Sequence, residues 1–223
     1  MRARARPASA PPDGLDLRAP LASGAEALGV PLQTRQLDQL LSFAALLQRW
    51  NAVHNLTAIR RADELLTHHL LDSLAVVPPV KALGPPGALL DVGSGGGLPG
   101  IPLAIALPTT PITLLDAVQK KCAFLTQAVL ELGLGNVTVV HQRVEDHRGQ
   151  YPVITSRAFA SLADFVRLSR HLLAPSGCWL AMKARPDAAE TSALPADVRI
   201  ARRQPLAVPG LDEERHLLEL RIA

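Results

Sequence analysis

The segment Asp91-Val92-Gly93-Ser94-Gly95-Gly96-Gly97-Leu98-Pro99-Gly100 directly follows the apolar residues Ala88-Leu89-Leu90. A short apolar run that stops at glycines reads as a buried parallel strand turning sharply into a helix. Glycines lack a Cβ, so the backbone can take positive φ there and approach a ligand closely. One strand further on, Leu114-Leu115-Asp116 ends in an acid. It lies about 20 residues past the loop, the spacing at which a carboxylate meets ribose hydroxyls. Loop and acid together predict a nucleoside-cofactor site at the carboxyl ends of neighbouring strands.

The identity of that nucleoside rests on finer detail. Gly95-x-Gly97-x-x-Gly100 formally matches a dinucleotide fingerprint, so a nicotinamide-dependent oxidoreductase stays open. Two residues favour S-adenosyl-L-methionine instead. Asp91 brings a negative charge that suits a methionyl ammonium and repels a pyrophosphate. Pro99 removes an amide that a pyrophosphate at a helix N-terminus would use. After the third strand, Arg143-Val144-Glu145-Asp146 reads either as a loop flanking adenine or as a solvated charged turn. Arg157, closing the fourth strand, suits a cofactor carboxylate or an RNA phosphate, with a salt bridge to a loop acid as the competing reading.

Around this centre the chain alternates strands and helices. Strands are expected at 88–92, 112–115, 137–141, 153–155 and 178–182, with two β-rich runs in 198–223. Helices are expected at 98–107, 119–132 and 162–173. Such alternation implies right-handed crossovers: an α/β, Rossmann-like, mostly parallel sheet with helices on both faces. Upstream, Leu37, Leu40, Leu41, Ala44 and Leu47 recur at helical spacing, and a second helix is expected from Ala62 to Val77, before Pro78. The organisation expected is therefore a flexible leader over 1–31, a helical extension over 32–86 and a core over 87–223.

Composition narrows the partners. The net charge of +3 equals the three arginines Arg2, Arg4 and Arg6 of the Ala/Pro-rich leader, so bulk charge does not argue for nucleic acid. From Arg143 onward 12 Lys/Arg face 10 Asp/Glu, so any RNA surface must come from local clustering. Lys183, Arg185, Arg215 and His216 are candidates for such a positive rim if their strand ends meet, with ordinary surface charge as the alternative. Aromatics make up only 3%, which disfavours broad base-stacking platforms. Cys122 and Cys178 form no metal-ligand pattern, and His68-His69 has no partners at ligand spacing, so no metal is expected. The leader has no apolar core of a secretory signal and no stretch is apolar enough to span a bilayer, so a cytoplasmic location is expected.

Several segments, in order, carry a resemblance. They are Trp50-Asn51 with Asn55-Leu56-Thr57, His69 with Leu71-Asp72-Ser73-Leu74, Asp91–Pro102, Leu114-Leu115-Asp116 and Lys120-Lys121. Arg143-Val144-Glu145, Ser156-Arg157-Ala158-Phe159-Ala160, Met182-Lys183 and Glu214-Arg215-His216-Leu217 complete them. Over roughly residues 35–222 the chain resembles the bacterial 16S rRNA guanine-N7 methyltransferase family, glucose-inhibited division protein B. The glycine motif alone indicates a class I methyltransferase; the SRAFA and ERHL segments are far more specific. The resemblance implies transfer of a methyl group from S-adenosyl-L-methionine to N7 of guanine 527, in the 530 loop of 16S rRNA or the small ribosomal subunit. By position it implies cofactor contacts from Gly93, Leu98, Val144, Glu145 and Arg157 with Asp116 on the ribose, beside the loop residues Asp91, Gly95 and Gly97.

Guanine N7 carries a lone pair and no proton. Its methylation needs alignment and not a general base, so no proton-carrying catalytic residue is nominated. A methyltransferase for small molecules or proteins, and an RNA-binding protein without activity, are the competing functions.

Overall fold

The computed structural model describes residues 16–84, 87–159, 161–185 and 187–223. Five strands pair in parallel: β1 (Leu89–Val92), β2 (Ile112–Asp116), β3 (Val137–His141), β4 (Tyr151–Arg157) and β5 (Leu173–Lys183). Two more, β6 (Val198–Pro205) and β7 (His216–Ile222), pair antiparallel with each other, and β7 pairs antiparallel with β5. The order is β3-β2-β1-β4-β5-β7-β6. From β1 the chain builds outward to β3, then returns to the other side of β1 at β4. The crevice where that direction reverses, at the carboxyl ends of β1 and β4, is where such sheets bind ligands.

The sheet is buried on both faces, and the two-residue period of its strands divides the core. Leu89, Leu114 and Leu180 join one apolar cluster; Leu90, Leu115 and Trp179 join the other. The first face is covered by α2 (Thr34–His54), α6 (Gly100–Ala106) and α7 (Gln119–Leu132), the second by α8 (Leu162–Ser169). This double burial explains why every residue of β1, Asp91 included, is buried. Helix α7 stops where expected, at Gly133 in the left-handed conformation.

Three expectations need correction. Residues 18–27, read as part of a mostly irregular leader, form α1, whose Leu21 and Ala25 are fully buried in the first cluster. Its alanine-rich composition hid four apolar anchors (Leu17, Leu21, Ala25 and Val30) beneath the proline signal. The leader's residues 1–15 lie outside the described residues. Second, the helix expected from Ala62 to Val77 is interrupted: α3 (Ala62–Leu65) passes into a π-helical turn (Leu66–Leu71), then α4 (Asp72–Leu74). Pro78 does not end the helical region. Both Pro78 and Pro79 fall in the first turn of α5 (Val77–Ala82), where a missing amide donor costs no intrahelical bond.

Third, β5 begins at Leu173 and not at 178, so the stretch Ala174-Pro175-Ser176-Gly177, a turn signal between the expected helix and strand, is absorbed into the strand. The turn signal survives as a register shift opposite Tyr151 and Val153 and a positive φ of 63° at Ser176. A short helix, α9 (Ala188–Ser192), was not anticipated; its Asp187 cap accepts a hydrogen bond from the Ala189 amide at 2.8 Å.

Candidate active site

The glycine loop is held from beneath by the neighbouring strand. The amides of Gly93 and Ser94 donate to the Leu115 carbonyl at 2.8 and 3.1 Å, and the Ser94 hydroxyl donates to the Asp91 carbonyl at 2.9 Å. Gly93 takes φ +69°, and a Cβ there would stand 2.4 Å from the Phe159 ring. Gly100 is required for a different reason: a Cβ would lie 2.2 Å from Leu114, so only glycine lets α6 press onto β2.

Asp116 closes the loop from β2. Its Oδ2 accepts from the Gly95 amide at 2.9 Å, its Oδ1 from the Val118 amide at 2.9 Å, and Lys121 Nζ stands 3.9 Å away. Two amides fix the carboxylate's orientation and leave lone pairs for further donors. A cleft of about 370 Å³ opens over it, lined by Gly93, Asp116, Val118, Gln142, Val144 and Phe159 among others. That volume lies within the range of small-ligand pockets. An adenosyl ligand fits the donor set: a carboxylate for ribose hydroxyls, apolar Leu115, Val118 and Val144 for a purine, and a glycine floor free of Cβ atoms.

Of the nine residues named for the cofactor, Gly93, Asp116, Val144 and Glu145 line this cleft. Gly95 meets it through Asp116. The other four lie elsewhere. Gly97 packs on Ile101 and Leu125, and Leu98 is core, 5% exposed. Asp91, expected to face an ammonium, is fully buried beneath the loop; its Oδ2 accepts from the Gly100 amide at 3.1 Å and its Oδ1 has no hydrogen-bond partner among the described residues. Burial pushes its carboxyl up to about 7, against the opposing hydrogen bonds. Its observed work is to tie the start of α6 to β1. Sequence reasoning missed Val118, Gln142 and Phe159; the first two lie within two residues of strand ends, which is the signal that could have found them.

Arg157 turns away from the cleft into a second cavity of about 360 Å³, lined also by His68, His69, Asp72, Lys183, Arg215 and His216. Ala158, with φ +54°, borders both spaces. Arg157 Nη1 donates to Asp72 Oδ2 at 3.0 Å and to the His68 carbonyl at 2.8 Å. Arg215 Nε stands 3.5 Å from Asp72 Oδ1. One buried carboxylate thus faces two guanidinium groups. Burial pushes the Asp72 carboxyl up, and the Arg157 and Arg215 charges oppose that. His69 bonds Thr57 Oγ1 through Nε2 at 2.7 Å, and burial with the Arg157 charge lowers its pKa to about 4. The π-helical turn carries His68 and His69 into this wall, and such turns recur at functional sites.

The comparisons with known proteins agree with this architecture. The family model described as rRNA small subunit methyltransferase G matches residues 36–218. The chain belongs to that family. A "Ribosomal RNA small subunit methyltransferase G" of Ralstonia nicotianae is 56% identical over 214 residues, covering 92% of this chain and 95% of that protein. The Burkholderia thailandensis protein of the same name is 55% identical, covering 92% of each. Among solved structures, magnesium protoporphyrin IX methyltransferase from Synechocystis with bound SAM shares the fold, with TM-score 0.59 and 19% identity over 94% of this chain and 98% of that one. TrmN from Thermus thermophilus gives TM-score 0.54 at 19% identity, covering 71% and 53%. The dinucleotide reading does not survive membership of a methyltransferase family.

In this methyltransferase three of the four rim residues share one cavity. Lys183, Arg215 and His216 line the second cavity, and Arg185 lies beside it, exposed and paired with Glu214 at 3.1 Å. Lys183 is itself held by Glu190 of α9, so the rim is less cationic than its residue types suggest. No helix of the described residues is long and apolar enough to cross a membrane.

Proposed function

We propose that this chain transfers a methyl group from S-adenosyl-L-methionine to N7 of a guanine in 16S rRNA, guanine 527 of the 530 loop, acting in the cytoplasm on the rRNA or the small subunit. The observation that carries this reading is the pair of cavities meeting at Ala158. One offers a carboxylate over a glycine floor and the other two guanidinium groups against one buried acid. When bound, the cofactor supplies an activated methyl group on a sulfonium.

The chain's own residues have the remaining tasks. Asp116, held by two amides, would orient the ribose, and Val144 and Glu145 would border the adenine. Arg157 and Arg215 bring surplus positive charge to the space for the acceptor, where phosphate oxygens are their natural counter-ions. No side chain need remove a proton, because N7 has none. His69 suits that chemistry: with a pKa of about 4 it stays uncharged at neutral pH and adds no cation beside a purine that becomes one.

The test is transfer of tritiated methyl groups to 30S subunits or 16S rRNA from cells lacking this chain, followed by nuclease mapping. Label in a single N7-methylguanine of the 530 loop is expected. Label that never enters RNA would overturn the substrate; calorimetry without S-adenosylhomocysteine binding would overturn the cofactor.

A further inference from the structure

The chain holds four phenylalanines, two tryptophans and one tyrosine, all within the described residues. Phe43, Phe124, Phe165 and Trp179 are buried in the core. Trp50 packs between His54 and Phe124, and Tyr151 is bonded to His147. Phe159 alone borders the cofactor cleft.

Its placement is specific. Ala158 adopts φ +54°, a conformation that costs energy for any residue with a Cβ and persists only where surrounding structure demands it. That turn brings the next ring back over Gly93, so closely that the missing Cβ of Gly93 makes room for it. Phe165 supports the ring in a T-shaped contact, with centroids 6.4 Å apart. The half-buried Phe159 ring therefore stands on the cofactor cleft, next in sequence to Ala158, the residue that borders both cavities.

We propose that Phe159 is the stacking platform for the acceptor purine, and that its ring face favours the base once methylation has made it cationic. This deepens the function proposed above and rests on it. In the transfer the N7 lone pair forms the new N–CH₃ bond as the S–CH₃ bond breaks, and the bonding pair stays on sulfur. No proton moves, and the positive charge passes from sulfonium to purine. An aromatic face attracts a cation more than a neutral ring, so the contact strengthens as charge develops on the base. Interactions that strengthen toward the transition state raise the rate of the chemical step.

The experiment compares wild type, Phe159→Leu, Phe159→Met and Phe159→Tyr on three readouts: S-adenosylhomocysteine affinity by calorimetry, single-turnover methyl transfer, and relative affinity for methylated over unmethylated 30S subunits. Leu and Met fill the space without a π face; Tyr keeps the face. The Leu and Met variants should lose about fivefold in both rate and preference for methylated subunits, a loss larger than any change in cofactor affinity, while Tyr keeps most of both. Equal losses in all three variants, an unchanged rate without the ring, or a fall in cofactor affinity matching the fall in rate would each overturn the stacking role. Absence of methyl transfer by the wild type would instead strike the proposed function, and the two failures are distinct.

Discussion

The two cavities that meet at Ala158 are built by different means. The cofactor cleft is fixed by backbone: amides of Gly95 and Val118 on Asp116, and of Gly93 and Ser94 on Leu115. Its partners are close in sequence, with Gly95 and Asp116 21 residues apart. The second cavity is fixed by long charged side chains from distant segments, since Arg157 reaches 85 residues back to Asp72 and 89 to His68. A site made of backbone depends on few side chains and tolerates most changes outside its glycines. A site made of one carboxylate between two guanidinium groups depends on each of them. The helical extension thus helps to build the second cavity, joined to the sheet through Asp72.

Substitutions can break this contrast. The largest effect is expected from Asp72→Ala, which leaves the partly buried Arg157 and Arg215 side by side without their counter-charge. Removing one member of such a buried set costs about 3 kcal/mol, read as a fall in denaturant midpoint at unchanged slope. S-adenosylhomocysteine affinity of the folded fraction should hold. Asp116→Ala should do the reverse, weakening the cofactor by about 1–3 kcal/mol in calorimetry while stability changes little. If both variants lost cofactor affinity alike, the two halves would not be separable. Arg215→Ala should act more mildly, because Arg157 still pairs with Asp72. It should lower RNA affinity and reduce the salt slope by about one ion, with cofactor affinity kept; an unchanged salt slope would remove Arg215 from the RNA surface.

The same contrast explains what could be read before the structure. Strands β1 to β3, α7 and its Gly133 stop follow from local periodicity and turn chemistry, and so does the Gly95–Asp116 pair. Side-chain direction is not local. Whether Asp91 faces ligand or core depends on the two-residue period relative to a face that only the assembled sheet defines, and Asp91 falls on the buried side. Arg157 could be placed at a strand end, but which of the two cavities it enters turned on Asp72, far upstream. The π-helical turn has no sequence mark at all, as Leu66–Leu71 carries an ordinary helical pattern. Phe159 received no site role because it sits within a motif from which only the arginine was singled out.

The smallest expected effect is a pH dependence in which the two halves oppose each other. The Asp91 carboxyl is raised to about 7 from an ordinary 3.8, so the folded chain keeps a proton that the unfolded chain releases. Its contribution to stability is full below about pH 4 and is lost as pH rises toward 7. His69 is lowered to about 4 from 6.5, so the unfolded chain takes a proton that the folded chain refuses. Stability from that source grows with pH over almost the same window. The slopes offset, and wild-type stability should be comparatively flat there. Asp91→Asn keeps an oxygen for the Gly100 amide and removes only the titration, while Asp72 is common to both proteins and drops out of the difference. Urea unfolding between about pH 4 and 7 should then show the variant's stability climbing with pH more steeply than wild type. Parallel curves would mean that Asp91 does not hold its proton in the folded chain, and the buried acid beneath the loop would need another partner.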